Sequence, residues 1–290
     1  MSTIGFIGLG SMGQPMARHL LNAGHRLRLY ARKPQTLAAL VARGAVSVPS
    51  PADAAAGADF TCICVTATAD VQSVLFGERG VEQGAKTGSV VMDFSTISPT
   101  ATRLFAQRLA RNNIQFLDCP VSGGVAGATA ATLTVMVGGK ADALEAARPV
   151  LARLAKNIVH IGDHGAGQVA KACNQIVQVI NIQGIAEAMH FARAQNVDLS
   201  KVLSALQTGM AGSRMLDLMG PKMIAHDFSA GIESRLHEKD FGLVVDQLEQ
   251  LGLDLPAVLL VAGQLHDMVQ RGWGKQDTSA LLRLLEAQDE

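Results

Sequence analysis

Lys171 and Asn174 stand three residues apart in the run Gly167-Gln168-Val169-Ala170-Lys171-Ala172-Cys173-Asn174. A helix through this run puts both on one face. A lysine among apolar neighbours calls for a partner or a task. An ammonium can protonate the alkoxide that hydride transfer to a carbonyl leaves, and the neutral amine can take that proton back. Burial and nearby positive charge lower a lysine pKa toward the value this task needs. Lys239, in His237-Glu238-Lys239-Asp240, is a candidate source of that charge and is also expected to face a cofactor. A second run, Cys119-Pro120-Val121-Ser122-Gly123-Gly124, offers a carboxylate the Ser122 hydroxyl and the lightly shielded N–H groups of Gly123 and Gly124. Taken singly, Lys171 reads first as an edge lysine reaching for solvent, and the Ser-Gly-Gly run as an ordinary turn.

Near the N-terminus, Gly8-Leu9-Gly10-Ser11-Met12-Gly13 matches G-x-G-x-x-G. It follows an apolar strand and precedes a helix with Pro15 in its first turn, where proline is tolerated. In such a turn the first glycine allows the tight bend. The second lets a pyrophosphate approach the backbone, and the third lets helix pack on strand. The N–H groups and dipole of the helix start favour the anion. A dinucleotide is therefore expected over Gly8, Leu9, Gly10, Ser11, Met12 and Gly13. A carboxylate for the ribose 2′-hydroxyl should wait about 20 residues further on, but the chain there reads Tyr30-Ala31-Arg32-Lys33. A guanidinium pairs with a 2′-phosphate that a carboxylate would repel. Arg32 thus points to NADP(H) as the preferred cofactor, with NAD(H) second. Ligands in an open parallel sheet lie beyond the carboxyl ends of the strands. Two more such ends, at Val65-Thr66 and Ser95-Thr96, are small and polar.

The elements that must hold these residues follow from hydrophobic patterning. Strands are expected over 3–10, 25–30, 60–65, 89–94, 115–118, 132–137 and 158–161, with helices over 13–23, 100–111 and 141–154. Strands alternating with helices of this length give βαβ units and a mostly parallel sheet. The Thr-rich 131–139 segment is the exception, expected to pair antiparallel at one edge. Beyond residue 163 strands cease. A proline-free segment runs to about 196 with apolar residues on more than one face, so it should be a long helix buried between partners. Helices alone follow, over 199–206, 214–225, 237–251, 256–270 and 278–287. The fold class is an α/β Rossmann-type, doubly wound, mostly parallel sheet followed by an all-α C-terminal domain joined by a long helix. The domains are 1–163 for NADP(H) and 164–290 for substrate and oligomerisation.

Composition excludes other classes. The 290 residues carry 25 basic and 25 acidic side chains and are 48% hydrophobic. This balance lacks the basic excess of a non-specific nucleic-acid or membrane binder. No apolar run approaches the roughly 20 residues of a membrane helix. The N-terminus meets the glycine motif without a charged lead, so a secretory signal is not expected. The four cysteines suit small buried thiols in a reduced, cytoplasmic protein. The eight histidines form no ligand-spaced cluster, so no metal is expected.

Together GFIGLGSMGQPMARHL, DFSTISP, DCPVSGGVAGA and GAGQVAKACNQ, with LHEKDFGL as a looser match, change the odds on the isolated motifs. In this order and spacing the chain resembles the β-hydroxyacid dehydrogenase family over essentially its whole length. The resemblance implies Lys171 as catalytic acid/base and Asn174 as the residue that orients the substrate. It implies Ser122, Gly123 and Gly124 at the substrate carboxylate, and Thr96 and Lys239 against the nicotinamide end. It also implies a short 3-hydroxy acid or its semialdehyde as substrate, and a homodimer or homotetramer. Residues 234–240 look more like the tartronate semialdehyde reductase branch than the hydroxyisobutyrate one, with His237 expected to offer a polar substrate a hydrogen bond. The alternatives are 3-hydroxyisobutyrate dehydrogenase, succinic semialdehyde reductase and, from another class, a non-catalytic dinucleotide-binding module. A binding module could lose Lys171 and the Ser-Gly-Gly run without penalty, and this chain keeps both.

Overall fold

Short apolar, β-branched runs form the strands and the longer periodic segments between them form the helices. The computed structural model describes residues 1–287. It begins with β1 (Thr3–Ile7), α1 (Gly13–Asn22), β2 (Arg26–Tyr30), α2 (Ala38–Val41), β3 (Val46–Ser47), α3 (Pro51–Ala55) and β4 (Phe60–Ile63). Next come α4 (Thr68–Phe76), α5 (Val81–Gly84), β5 (Val90–Asp93), α6 (Pro99–Ala110), β6 (Gln115–Asp118) and β7 (Val121–Ser122). Then follow α7 (Gly124–Ala130), β8 (Leu133–Gly138), α8 (Ala141–Leu151), β9 (Ala155–Gly162) and the 29-residue α9 (Ala166–Ala194). Among the described residues five α-helices follow: α10 (Leu199–Thr208), α11 (Arg214–Ile224), α12 (Ser234–Leu251), α13 (Pro256–Gln270) and α14 (Leu281–Glu286).

Strands β3-β2-β1-β4-β5-β6 lie side by side and all pair in parallel. Their two faces bury separate cores. On β5, Val90 and Met92 join a core with Phe6, Leu29 and Met16, while Val91 joins Ile63, Val71 and Phe105 on the other side. That is the period-2 alternation of a sheet covered on both faces. The Thr-rich strand β8 is antiparallel, as expected, but it is not the edge. The register Asp118↔Gly138, Val121↔Val135, Ser122↔Thr134 is continuous. β7 therefore prolongs β6 along β8, past Pro120, which has no N–H to give. β9 pairs in parallel along the other side of β8.

The described residues divide into two compact units, Met1–Lys171 and a second from Ala172 onward. The division falls inside α9, beyond the 163/164 boundary expected from the sequence, because the first turns of this helix are hydrogen-bonded to the sheet unit. In the second unit α9 gives Val179, Ile182, Ile185 and Met189 to a core with Phe241, Val244 and Leu265. Val177 and Phe191, on the same helix, stay exposed at 71% and 67%. All four cysteines are free. Cys62 and Cys119 are buried and Cys64 is half-buried, but Cys173 is exposed, contrary to the expectation of uniformly buried thiols. It sits on the opposite face of α9 from Lys171. Among the described residues no helix is long and apolar enough to cross a membrane.

Candidate active site

The glycine turn joins β1 to α1, and its glycines differ in what requires them. Gly8 has φ +93°, and a Cβ there would lie 2.1 Å from the Cys64 carbonyl oxygen. A Cβ on Gly13 would lie 1.9 Å from the Gly8 oxygen, so this glycine lets α1 start against the turn. Gly10 has neither constraint: its φ is ordinary and no protein atom lies within 4 Å of where a Cβ would be. The protein does not need glycine at 10, whereas a pyrophosphate approaching the backbone does. The turn opens onto a cleft of about 580 Å³ lined by Gly8, Leu9, Gly10, Arg32, Val65 and Thr66, among others. These residues fit a bound dinucleotide. Ser11 lines a separate hollow with Gln14 and Arg18, Met12 packs against the core, and Gly13 is buried.

A carboxylate from the next βα unit lies against Arg32. Asp70, in the first turn of α4, lies 3.3 Å from the Arg32 guanidinium. Its other oxygen accepts the Ala67 N–H. Lys33 and Glu78 also line the cleft, as does Arg79, which is paired with Asp53 at 2.6 Å. The Cys64 thiol borders the cleft as well. Burial, followed by the Asp93 carboxylate, pushes it up to about 12.

Two side chains that sequence reasoning left without a role hold the strand ends to α9. Gln168 donates from Nε2 to the Ser95 carbonyl at 2.8 Å and accepts the Ile97 N–H at 3.1 Å. Asp118, at the end of β6, accepts the N–H groups of Gly165 at 2.8 Å and Gln168 at 3.0 Å. Burial pushes the Asp118 carboxyl above its ordinary value, against the pull of these N–H groups. The packing is tight: a Cβ on Gly138 would lie 2.5 Å from Asp118 Oδ1, and one on Gly167 2.5 Å from the Met136 oxygen. Ser95 also accepts the Val65 N–H at 3.0 Å, which links the end of β4 to the same assembly. Lys171 follows Gln168 by three residues and is buried, 8% exposed. Thr96 is half-buried beside Ser95. The only advance signal was a glutamine in an apolar helix one turn before the lysine.

The Ser-Gly-Gly run leaves the sheet where β7 ends. Ser122 is half-buried and pairs with Thr134. Gly123 and Gly124 have φ +129° and +60°, which side chains rarely adopt, and both are exposed at the start of α7. The hydroxyl and amides are thus presented by a conformation that demands glycine.

In the helical unit, Asn174 donates from Nδ2 to Gln175 Oε1 at 2.9 Å and Gln178 Oε1 at 3.3 Å. Gln175 donates to Asp240 at 2.6 Å, and Lys239 pairs with Asp240 at 2.7 Å. His237 is not placed as a substrate contact: it is 2% exposed. Its ring nitrogens lie 2.8 Å from Thr278 Oγ1 and 3.3 Å from Gln178 Nε2. No cluster able to hold a metal is present among the described residues.

Comparison with known proteins assigns the chain to a family. Residues 3–162 match the NAD-binding domain of 6-phosphogluconate dehydrogenase, and residues 165–285 match the NAD-binding model of NADP-dependent 3-hydroxyisobutyrate dehydrogenase. The chain is 38% identical to the 2-hydroxy-3-oxopropionate reductase of Escherichia coli (strain K12), over 98% of its own length and 97% of the relative's. It is 34% identical to an NAD-dependent L-serine dehydrogenase of Pseudomonas aeruginosa, over 99% and 98%. The structure of a Mycobacterium tuberculosis 3-hydroxyisobutyrate dehydrogenase with L-serine superimposes with a TM-score of 0.91 at 32% identity, covering 98% and 99% of the two chains. The chain belongs to the β-hydroxyacid dehydrogenase family, of which 3-hydroxyisobutyrate dehydrogenase is a member. It is an NAD(P)-dependent oxidoreductase.

Proposed function

We propose that this enzyme reduces tartronate semialdehyde to D-glycerate with NADPH, using Lys171 as the proton donor. The observation that carries the chemistry is a buried lysine on a helical turn tied by Gln168 and Asp118 to the ends of β5 and β6. The bound nicotinamide supplies the hydride. The Lys171 ammonium protonates the alkoxide oxygen and, in the reverse direction, the amine accepts that proton. Ser122 Oγ and the N–H groups of Gly123 and Gly124 hold the carboxylate. Both Asn174 donors point to glutamines, so its Oδ1 is left to accept a substrate hydroxyl. Thr96 and Lys239 serve the nicotinamide end, and Lys239 also contacts substrate.

The substrate reading is supported by the 38% identity to a 2-hydroxy-3-oxopropionate reductase and by the 234–240 stretch. 3-Hydroxyisobutyrate is the second reading, supported by the match to a 3-hydroxyisobutyrate dehydrogenase structure. The preference for NADP(H) over NAD(H) is supported by Arg32 and Lys33 in the cleft lining. Residues 1–163 bind the cofactor, and residues 164–290 serve substrate and oligomerisation. The exposed Val177 and Phe191 of α9 support assembly as a homodimer or homotetramer. Four free thiols suit the cytoplasm.

The test is kcat/KM for tartronate, methylmalonate and succinic semialdehydes with NADPH and NADH. Tartronate semialdehyde with NADPH is expected to rank first. A higher value for methylmalonate semialdehyde moves the chain to the hydroxyisobutyrate reading. No turnover of any, with cofactor bound, overturns the reductase reading.

A further inference from the structure

The helical unit holds a chain of side chains ending at Asn174 that the proposed chemistry does not use directly. Gln178 Oε1 accepts from Asn174 Nδ2, so Gln178 Nε2 is the end that donates, and it faces His237 Nε2 at 3.3 Å. This order makes Nε2 the acceptor of the ring and Nδ1 its donor. Nδ1 faces Thr278 Oγ1 at 2.8 Å, and the Thr278 hydroxyl continues to the Ile232 carbonyl at 3.3 Å. The far end is firmly held. Thr278 also gives its backbone N–H to Ile232. The neighbouring Asp277, fully buried, accepts the N–H groups of Gly231 and Ile232 at 2.8 and 3.0 Å.

We propose that His237 is a positioning residue for the reaction: through Gln178 it fixes the Asn174 amide with its Oδ1 turned toward the substrate. The proposal rests on the reading that Asn174 orients the substrate. An amide can present either its oxygen or its nitrogen, and a wrongly turned Asn174 would offer N–H groups where an acceptor is needed. Gln175, whose Nε2 is committed to Asp240, holds one side of the Asn174 amide; Gln178 holds the other, and its own amide can flip unless something fixes it. A ring whose Nδ1–H is committed to Thr278 can only accept at Nε2. It therefore fixes Gln178, which supports from one side the Asn174 orientation that Gln175 and Asp240 set from the other. Neighbouring hydrogen bonds of this kind reinforce one another in a partly buried site.

The experiment is steady-state kinetics with whichever semialdehyde of the panel the native chain turns over best. His237→Gln places an amide where Nε2 was, and His237→Asn places one where Nδ1 was. The Gln variant still offers Gln178 an acceptor oxygen but no longer enforces it, so it is expected to lose less of kcat than the Asn variant. The Asn variant and Gln178→Met should each lose roughly three- to tenfold in kcat, with the cofactor Kd unchanged. Gln178 is only half-buried, so its substitution tests the chain without opening the core. In an Asn174→Ala background neither change should lower kcat further. Equal losses in the Gln and Asn variants, or losses that add to that of Asn174→Ala, would overturn the role of His237 while leaving that of Asn174 standing. Full turnover by Asn174→Ala would overturn both.

Discussion

The Asp118 carboxylate accepts the Gln168 N–H at 3.0 Å, fastening the turn that carries Lys171 to the strand that leads into Ser122. Asp118→Asn keeps one acceptor oxygen but places an N–H donor against a second N–H. A stability loss of about 1–3 kcal/mol is expected, with kcat reduced more than cofactor affinity. The pH dependence has a definite sign. Burial raises the folded-state pKa above the ordinary 3.8. The stability this group contributes is complete below that value and is lost as pH climbs through the raised one. Denaturant titrations from pH 3 upward should show the decline in the native chain and its absence in Asp118→Asn.

Asp277 should behave in the opposite way. Burial alone would raise its carboxyl, but the N–H groups of Ser279, Ile232 and Gly231 hold it below 3.8. Its contribution is present above the ordinary value and disappears as pH falls through the lowered one. Asp277→Ala strips the buried acceptor from these donors and from Lys222, 3.3 Å away. A loss of roughly 3 kcal/mol is expected, read as a lower denaturation midpoint at pH 7.

Lys171→Ala should lower kcat by about 10²–10⁴-fold while leaving NADPH binding intact, as removal of a general acid does. Fluorescence titration of NADPH separates the two effects. Undiminished turnover would remove Lys171 from the mechanism.

Asp70 competes with any 2′-phosphate for Arg32. An exposed pair of this kind is worth at most about 1 kcal/mol. Asp70→Asn can still accept the Ala67 N–H, so the start of α4 survives. The variant is expected to bind NADPH about two- to fivefold more tightly, with little change for NADH. Arg32→Ala should erase most of the discrimination. Calorimetric titration of both cofactors into both variants checks this.

If the exposed stripe of α9 is a subunit contact, Val177→Glu with Phe191→Glu should shift the chain to monomer. Light scattering coupled to gel filtration reads the mass directly. A native chain that is already monomeric would end the proposal.

The parallel strands were legible in the sequence because burial on both faces turns them into nearly unbroken apolar runs, as at Val90-Val91-Met92. The glycine turn was legible because few other structures ask for its spacing. β3 and β7 were not: two residues each, they carry too short a pattern to show a period. Asp70 was missed as the partner of Arg32 because it arrives from the next βα unit, and proximity across a cleft leaves no mark on spacing. Gln168 and Asp118 lay inside quoted motifs, yet nothing in their types said that one would cap the helix of the other. His237 was seen, but its partners Gln178 and Thr278 come from distant segments, and they turned an expected substrate contact into a buried link.

Gly138 and Gly167 act as missing shims. A methyl at either would sit 2.5 Å from a neighbouring oxygen, whereas ordinary contact begins near 3.4 Å. The first turn of α9 would have to lift off the sheet by about 1 Å, a displacement large enough to slow a well-aligned reaction a hundredfold. Lys171 would be carried outward with it. The reach of the proposed proton donor is therefore gauged by the thickness of two absent methyl groups, set by residues that carry no chemistry at all.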